Sequence, residues 1–203
     1  MRHSKSGGEQ LLRLARRRSI FTAADAARSG IHSQELSRAV GRGLVERIAR
    51  GQYRHAGRPV TENHALTIAA QAVPHGVICL LSAIVFHGIG TQLPFEVWIA
   101  VERGARAPSL RYPSLRIARF SGRAFDQGIE IHRLEGKPVR IYGIAKTVAD
   151  LFKYRKKIGL DVAMEALREV WRDKRATIDA IDHFARICRV ERVMRPYLEA
   201  LVA

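Results

Sequence analysis

The feature that most constrains the fold of this chain is a change of hydrophobic period near residue 44. Before it, apolar residues recur at helical spacing in three short segments, the third over roughly residues 34–42. After it, two β-prone segments, 44–48 and 52–54, flank the turn-forming run 49–51. Three short helices followed by a two-stranded hairpin is the element order of a winged helix-turn-helix domain.

Local signals place the ends of these helices. Thr22, with Asp25 three positions later, is a capping-box pattern that opens a short, Ala-rich second helix. Gly30 has the position of a helix-terminating glycine, and Ser33 is the expected N-cap of the third helix. Only a few residues separate the second and third helices, as the turn of a helix-turn-helix requires. We therefore interpret residues 1–58 as a winged helix-turn-helix domain.

A large and uneven positive charge indicates a polyanionic partner. The 203 residues include 35 Lys and Arg against 19 Asp and Glu, a formal net charge of +16, and the pI is near 10.9. Residues 1–58 hold 13 of the basic and 4 of the acidic residues, so over half of the surplus lies in under a third of the chain. This balance favours nucleic acid as the partner, ahead of an anionic membrane.

The third helix and the hairpin are the expected DNA contacts. A polar, Arg-bearing outer helix face fits the major groove, with base edges read by its side chains and phosphate met near its end. A glycine turn flanked by arginines fits a wing that lies against phosphates or reaches into a minor groove. The alternative is that these arginines only solvate a small helical domain. The predicted set for double-stranded DNA is Gln34, Ser37, Arg38, Arg42, Arg47, Arg50 and Arg54.

The second part of the chain, residues 59–203, changes from strands to helices along its length. Strand-like runs occur at residues 95–101, 115–120, 128–134 and 139–142, and helical patterns follow from residue 146 onward. Strands followed by helices predict an α+β class rather than a parallel α/β sheet. We expect a mixed domain with a small, mainly antiparallel sheet and a C-terminal helical cluster.

Cysteine usage and hydropathy favour a cytoplasmic protein without a membrane span. Cys79 and Cys188 lie far apart in apolar surroundings, so we expect buried, reduced thiols. The longest apolar stretch, residues 77–86, is about half of the roughly 20 residues that a bilayer span needs. The first ten residues have no apolar core of the kind found in a secretory signal.

The sequence offers no convincing set of catalytic residues. Nucleotide-binding loops, the GxSxG nucleophile motif and the HExxH metal motif do not occur, and the eight histidines are scattered without ligand spacing. We therefore expect no enzyme activity, no metal and no cofactor. The distant alternative is an enzyme that acts on nucleic acid, with Glu96, Glu102 and Lys146 as its candidate site residues.

A basic run near residue 155 has two interpretations. It comprises Lys153, Arg155, Lys156 and Lys157. It is either the solvated C-terminal end of a helix, where cations are favourable, or a second nucleic-acid patch. Upstream of it, Lys146 and Asp150 are spaced for an ion pair within one helix.

Several stretches of the sequence carry a resemblance to a known family. They are the winged-helix start, RGQY at 50–53, CLLSAIVFHGI at 79–89, PFEVWIAV at 94–101, GIEIHRLEGKPVRIYG at 128–143 and, above all, AKTVADLFKYRKKIG at 145–159. Together they resemble the AbiEi family, the antitoxins of type IV (abortive-infection E) toxin–antitoxin systems. The resemblance extends over nearly the whole chain, from about residue 10 to about residue 200.

This resemblance implies a division of labour between two domains. The N-terminal winged helix would bind an inverted repeat upstream of its own operon and repress it, and an inverted repeat implies two copies on the DNA. The DNA-facing role carries over onto Gln34, Ser37, Arg38, Arg47 and Arg50. The C-terminal domain would counter a toxin that resembles nucleotidyltransferases, without a need for direct binding. A solitary transcription regulator of the same architecture is the alternative.

Overall fold

The computed structural model describes residues 7–17, 21–56, 63–106, 108, 110 and 112–202. The chain divides into two compact units, one formed by the residues up to 68 with 133–137, and the other by residues 69–132 with those from 138 onward. The expected domain boundary at residue 58 falls outside the described residues and stays a prediction. Within the described ranges, no helix combines the length and the apolar character that a membrane span needs.

The N-terminal unit has the predicted order of helices and hairpin. Its elements are α1 (Gly7–Arg17), β1 (Phe21–Thr22), α2 (Ala23–Arg28), α3 (Ser33–Gly41), β2 (Val45–Ala49) and β3 (Gln52–His55), and α4 (His64–Ala72) follows. The strands form an antiparallel sheet in the order β1-β3-β2. Strand β1 is an addition to the predicted hairpin. Two residues are too short a run to show the alternation by which a strand is recognised in sequence.

A small apolar core holds these elements together. Phe21 is fully buried on β1 and stacks against Tyr53 of β3, with 5.8 Å between the ring centroids. Burial of one such side chain stabilises a fold by about 1.5–3 kcal/mol. The buried residues around it come from all three helices, from the turn before α3 and from β2: Leu11, Ala15, Ala26, Ile31, Leu36, Ala39 and Val45.

The second unit begins with short elements around a sheet. They are β4 (Val77–Ile78), α5 (Leu80–Phe86), β5 (Val97–Glu102), β6 (Leu115–Phe120), α6 (Arg123–Asp126), β7 (Ile129–Leu134) and β8 (Lys137–Tyr142). The adjoining ends of β7 and β8, within residues 133–137, belong to the first unit. The helical cluster follows as α7 (Ile144–Ile158), α8 (Leu160–Arg172), α9 (Ile178–Ile187) and α10 (Glu191–Val202). Strands followed by helices confirm the α+β class.

The five-stranded sheet is mixed, in the order β6-β5-β4-β8-β7. Strand β4 pairs antiparallel with β5, and the two-residue turn at Glu135 and Gly136 joins β7 to β8 as a hairpin. In contrast, β4 pairs parallel with β8, and β5 pairs parallel with β6. The sheet is therefore more parallel than the mainly antiparallel one expected. Parallel neighbours need long crossover connections, which leave no local signal in the sequence.

Helix α7 lies at the centre of the helical cluster. Its buried face carries Val148, Leu151 and Phe152 at spacings of three and four residues, as one face of a helix requires. Helices α8 and α9 pack against it, and α10 packs against α9. Gly159 ends α7 with a φ of 98°, a conformation that glycine adopts without strain, and α8 begins directly after it.

Candidate nucleic-acid interface

Helix α3 has one apolar and one polar face. Leu36 and Ala39 are buried in the core of the N-terminal unit, whereas Gln34, Ser37 and Arg38 are exposed. The exposed three are separated by three and four residues, so they share one side of the helix. The first predicted set of base-reading side chains therefore lies together on an open surface.

The start and end of α3 are closely defined. The helix begins at Ser33, with His32 as its N-cap, so the cap lies one residue before the predicted Ser33. The backbone N–H of His32 donates a hydrogen bond to Glu35 Oε2 at 3.2 Å. At the other end Arg42 is the C-cap of the helix, and it is exposed.

The predicted capping box stabilises the N-terminus of helix α2. Asp25 N–H donates to Thr22 Oγ1 at 3.0 Å, and Thr22 N–H donates to Asp25 Oδ2 at 2.9 Å. Arg28 donates to Asp25 Oδ1 at 2.6 Å, and Lys137 donates to Oδ2 at 3.3 Å. Burial by itself raises the pKa of Asp25, but the hydrogen bonds from Thr22 and Arg28 outweigh burial and hold that pKa well below its usual range.

The turn between β2 and β3 forms the tip of a wing, defined here as residues 45–55. Arg50 and Gly51 occupy the turn, and Gly51 has a φ of 71°, in the left-handed region that favours glycine. A bulge between Arg47 and Ala49 increases the local twist of the hairpin. The N–H of Ala23 donates to the carbonyl of Gly51 at 3.1 Å, which ties the tip of the wing to the start of α2.

The three arginines of the wing differ in their surroundings. Arg47 and Arg50 are exposed. Arg54 instead lies opposite Glu46 across the hairpin, donates from Nε to Glu46 Oε2 at 2.8 Å, and has a side chain only 17% exposed. The pairing with Glu46 is not among the predictions from the sequence, although the hairpin register places Glu46 opposite Arg54. Contact of Arg54 with phosphate stays a prediction.

The predicted second basic patch lies at the C-terminal end of α7. Lys153, Lys156 and Lys157 are exposed there, and Arg155 turns back to donate to the carbonyl of Phe152 at 2.8 Å. Cations at this end of a helix are favourable in any case. The helix end and the exposed charges are both present, so the two interpretations of this run coexist.

The candidate residues for an enzymatic site are not brought together. Glu96 directly precedes β5 and Glu102 is its last residue, so their Cα atoms lie about 20 Å apart at the rise of a strand. Lys146 is fully buried and paired with Asp150, so neither group reaches a surface site. In the described part of the chain, no group of three or more His, Cys, Asp or Glu side chains is placed to hold a metal ion.

Both cysteines are buried free thiols, as the sequence predicts. Burial, followed by the charge of Asp150, raises the pKa of Cys188 to about 12. The Cys188 thiol donates to Asp150 Oδ1 at 3.2 Å. Burial likewise raises the pKa of Cys79. Neither thiol is therefore placed to act as a nucleophile at neutral pH.

Comparison with known proteins agrees with this geometry in the N-terminal unit. The sequence model of a family described as "Transcriptional regulator, AbiEi antitoxin" matches residues 9–55, the stretch that forms α1 to β3. A search of curated proteins finds no match. The resemblance to AbiEi antitoxins is thus borne out over the winged helix, and it indicates a DNA-binding transcriptional regulator.

A solved structure shares the fold. The crystal structure of the RV2827C protein from Mycobacterium tuberculosis superposes with a TM-score of 0.63 at 13% sequence identity. The superposition covers 91% of this chain and 72% of that chain. Since the identity is low, this likeness concerns the fold alone.

Proposed function

We propose, from an N-terminal domain that matches the AbiEi transcriptional regulators, that this chain is the antitoxin and autorepressor of a type IV toxin–antitoxin operon. It binds inverted repeats in its own promoter and counters a nucleotidyltransferase-like toxin in the cytoplasm. Two copies occupy the repeat, one on each half-site. Half-sites of a helix-turn-helix regulator lie about 34–36 Å apart or at multiples of that distance.

The exposed face of α3 is the observation that carries this proposal. An α-helix with its side chains is about 10–12 Å wide, and the major groove of B-DNA is about 12 Å wide. Gln34 and Arg38 suit bidentate hydrogen bonds to adenine and guanine edges respectively, and Ser37 bonds either. Because all three are exposed, α3 can enter the groove without rearrangement of the core.

The wing supports the proposal with contacts that carry no sequence information. Arg47 and Arg50 are exposed on the hairpin, and Ala23 holds the turn through the carbonyl of Gly51. A guanidinium at a fixed turn matches a phosphate bidentately. Such contacts set the register of the protein on the duplex, while α3 reads the bases.

The decisive experiment measures binding to the upstream region of the gene by fluorescence anisotropy, with a scrambled duplex of equal composition as reference. We expect tighter binding to the natural duplex in excess competitor DNA. If the protein makes about eight phosphate contacts, raising the salt from about 50 mM to about 200 mM should reduce the affinity by roughly 10³- to 10⁵-fold. The variant Gln34→Ala/Arg38→Ala should lose the preference. Arg168→Ala, on the exposed surface of α8, is the charge-matched control and should keep it.

Equal affinity for both duplexes, or insensitivity to salt, contradicts the DNA-binding proposal. The antitoxin part is tested separately, by co-expression with a neighbouring nucleotidyltransferase-like gene and measurement of growth. Rescue of growth by the full chain supports neutralisation of the toxin. Sequence-specific binding without such a neighbour, or without rescue, identifies the solitary regulator instead.

A further inference from the structure

A basic cleft of about 580 Å³ lies in the C-terminal unit. Its cationic side chains come from the turn after β5, from α6, from α7, and from the end of α9 with the turn that follows. They are far apart in sequence and converge only through the fold. The cations that line the basic cleft are Arg103, Arg123, Lys153, Arg186 and Arg189.

The charges of the basic cleft are poorly compensated. No carboxylate is among its lining residues. Arg186 forms ion pairs with two carboxylates: its Nη2 lies 2.5 Å from Asp182 Oδ2, and its Nε lies 3.9 Å from Glu191 Oε1. Arg103, Arg123, Lys153 and Arg189 are exposed and have no ion pair with any residue in the described part of the chain. Like charges gathered in a concave site repel one another and raise the local potential, and a bound anion relieves both effects.

The remaining walls of the basic cleft carry no negative charge that would repel a bound anion. Ile187 and Ala124 supply apolar surface, and Ser121 supplies a hydroxyl. The Cys188 thiol at the wall stays protonated, because it is buried beside Asp150. Asp150 itself is fully buried and neutralised by Lys146, so its charge does not repel an anion in the cleft.

A second groove of about 490 Å³ continues from the basic cleft. It shares Lys153 and Arg189 with the cleft and adds Lys156 and Lys157 from the end of α7. The basic run singled out in the sequence is thus one side of a longer basic track. Tyr154 also lines the groove but donates its hydroxyl to the Arg119 carbonyl at 3.0 Å, and its ring is half-buried.

We propose that the basic cleft binds the phosphate groups of a nucleotide. Its volume lies within the range of about 300–1,000 Å³ typical of small-molecule sites. Its arginines provide the forked donors that match phosphate oxygens, and the four unpaired cations balance the roughly four negative charges of a nucleoside triphosphate. The phosphates belong either to a free nucleotide or to a nucleic-acid strand that continues along the groove. This site does not depend on operator binding by α3.

The test is calorimetric titration of the full-length protein with ATP, tripolyphosphate and adenosine. We expect saturable 1:1 binding of ATP, competition by tripolyphosphate, and no binding of adenosine. Arg123→Ala and Arg189→Ala should each weaken ATP binding about tenfold, whereas Arg168→Ala on α8 should leave it within about twofold. Removal of one converging cation should also leave the melting temperature of the free protein unchanged or raise it, because repulsion is relieved.

A single-stranded oligonucleotide of about 12 residues without terminal phosphate distinguishes the two sources. If it displaces ATP and loses affinity in Lys156→Ala/Lys157→Ala while ATP does not, the phosphates are those of a strand. If only ATP binds, the ligand is a free nucleotide. Absence of binding by ATP and the oligonucleotide alike, unsaturable binding, or equal losses in Arg123→Ala and Arg168→Ala overturn the proposal. Each of these outcomes is independent of operator affinity, which is measured on duplex DNA.

Discussion

Lys146 and Asp150 form a fully buried ion pair one turn apart on α7, with Lys146 Nζ 2.6 Å from Asp150 Oδ1. The ammonium group also lies 4.0 Å from the centroid of the Tyr142 ring and 4.7 Å from that of Phe120. The pair expected from spacing alone thus exists, but in the core rather than on the helix surface. Burial raises the pKa of Asp150, while the charge of Lys146 opposes this rise. Each charge depends on the other, because both side chains are fully buried.

Loss of one member of this pair should be far more damaging than loss of both. Asp150→Ala leaves the Lys146 ammonium buried without a counter-charge, and we expect the free energy of unfolding to fall by about 3–5 kcal/mol. Lys146→Met/Asp150→Leu should recover most of that loss. Urea denaturation measures the stability of each variant, and Glu199→Ala, at an exposed position of α10, is the control. A loss in Asp150→Ala no larger than in the control contradicts the prediction.

Asp25 should make the stability of the N-terminal unit depend on acid. Its pKa is held below the ordinary 3.8 in the folded chain, so the ionised carboxylate stabilises the fold at pH values above 3.8. That contribution is lost as the pH falls below about 4, because protonation is then easier in the unfolded chain. We expect the stability difference between the natural protein and Asp25→Asn to be constant from about pH 5 to about pH 7. This stability difference should shrink from about pH 4 downward. Thermal unfolding, monitored by circular dichroism at each pH, measures it. A difference that stays constant to pH 2 is the contrary result.

Arg38 and Arg50 should affect DNA binding in different ways. If Arg38 reads a base, Arg38→Ala should cost about 1–3 kcal/mol at one operator position and relax the sequence preference there. Arg50→Ala should weaken binding to all duplexes alike and lower the slope of log affinity against log salt by about 1. Anisotropy against a series of single-base operator variants separates the two patterns. Equal and negligible effects would mean that α3 and the wing are not the binding face.

The pairing of Glu46 with Arg54 predicts an increase in DNA affinity on loss of the acid. Glu46→Gln removes the carboxylate that neutralises Arg54 at 2.8 Å, which frees one cation on the wing. We expect tighter binding to every duplex and a salt slope steeper by about 1. Glu199→Gln makes the same change of net charge on α10 of the C-terminal unit and serves as the control. Equal increases in both variants would attribute the effect to net charge alone.

Short-range patterns were sufficient to predict the N-terminal elements. The capping box at Thr22 and Asp25, the left-handed Gly30 and the turn at Gly51 all involve residues within a few positions of one another. Such signals act before any tertiary contact forms. Strand β1 was missed as a strand, because Phe21 and Thr22 reveal their pairing only through Tyr53 and Gln52, some thirty residues later.

Long-range relationships could not be predicted in the same way. Arg54 is predicted to contact phosphate, but its pairing with Glu46 across the hairpin was not predicted. The parallel pair β5–β6 is joined by a connection that begins at residue 103, and nothing in that stretch indicates which strand is its neighbour. The spacing of Lys146 and Asp150 is that of a surface pair as much as of a buried one, and only the helices packed around α7 decide between them.

The sequence by itself therefore determined the class of the fold, the order of the winged-helix elements and the strong positive charge, since period, caps and composition are local properties. Only the tertiary structure decided which charges are free. It buries Lys146, pairs Arg54, and brings Arg103, Arg123 and Arg189 from separate elements to one cleft. The physical reason is that the free energy of a charge depends on its distance to other charges and to water, and those distances are set by contacts between residues remote in the chain.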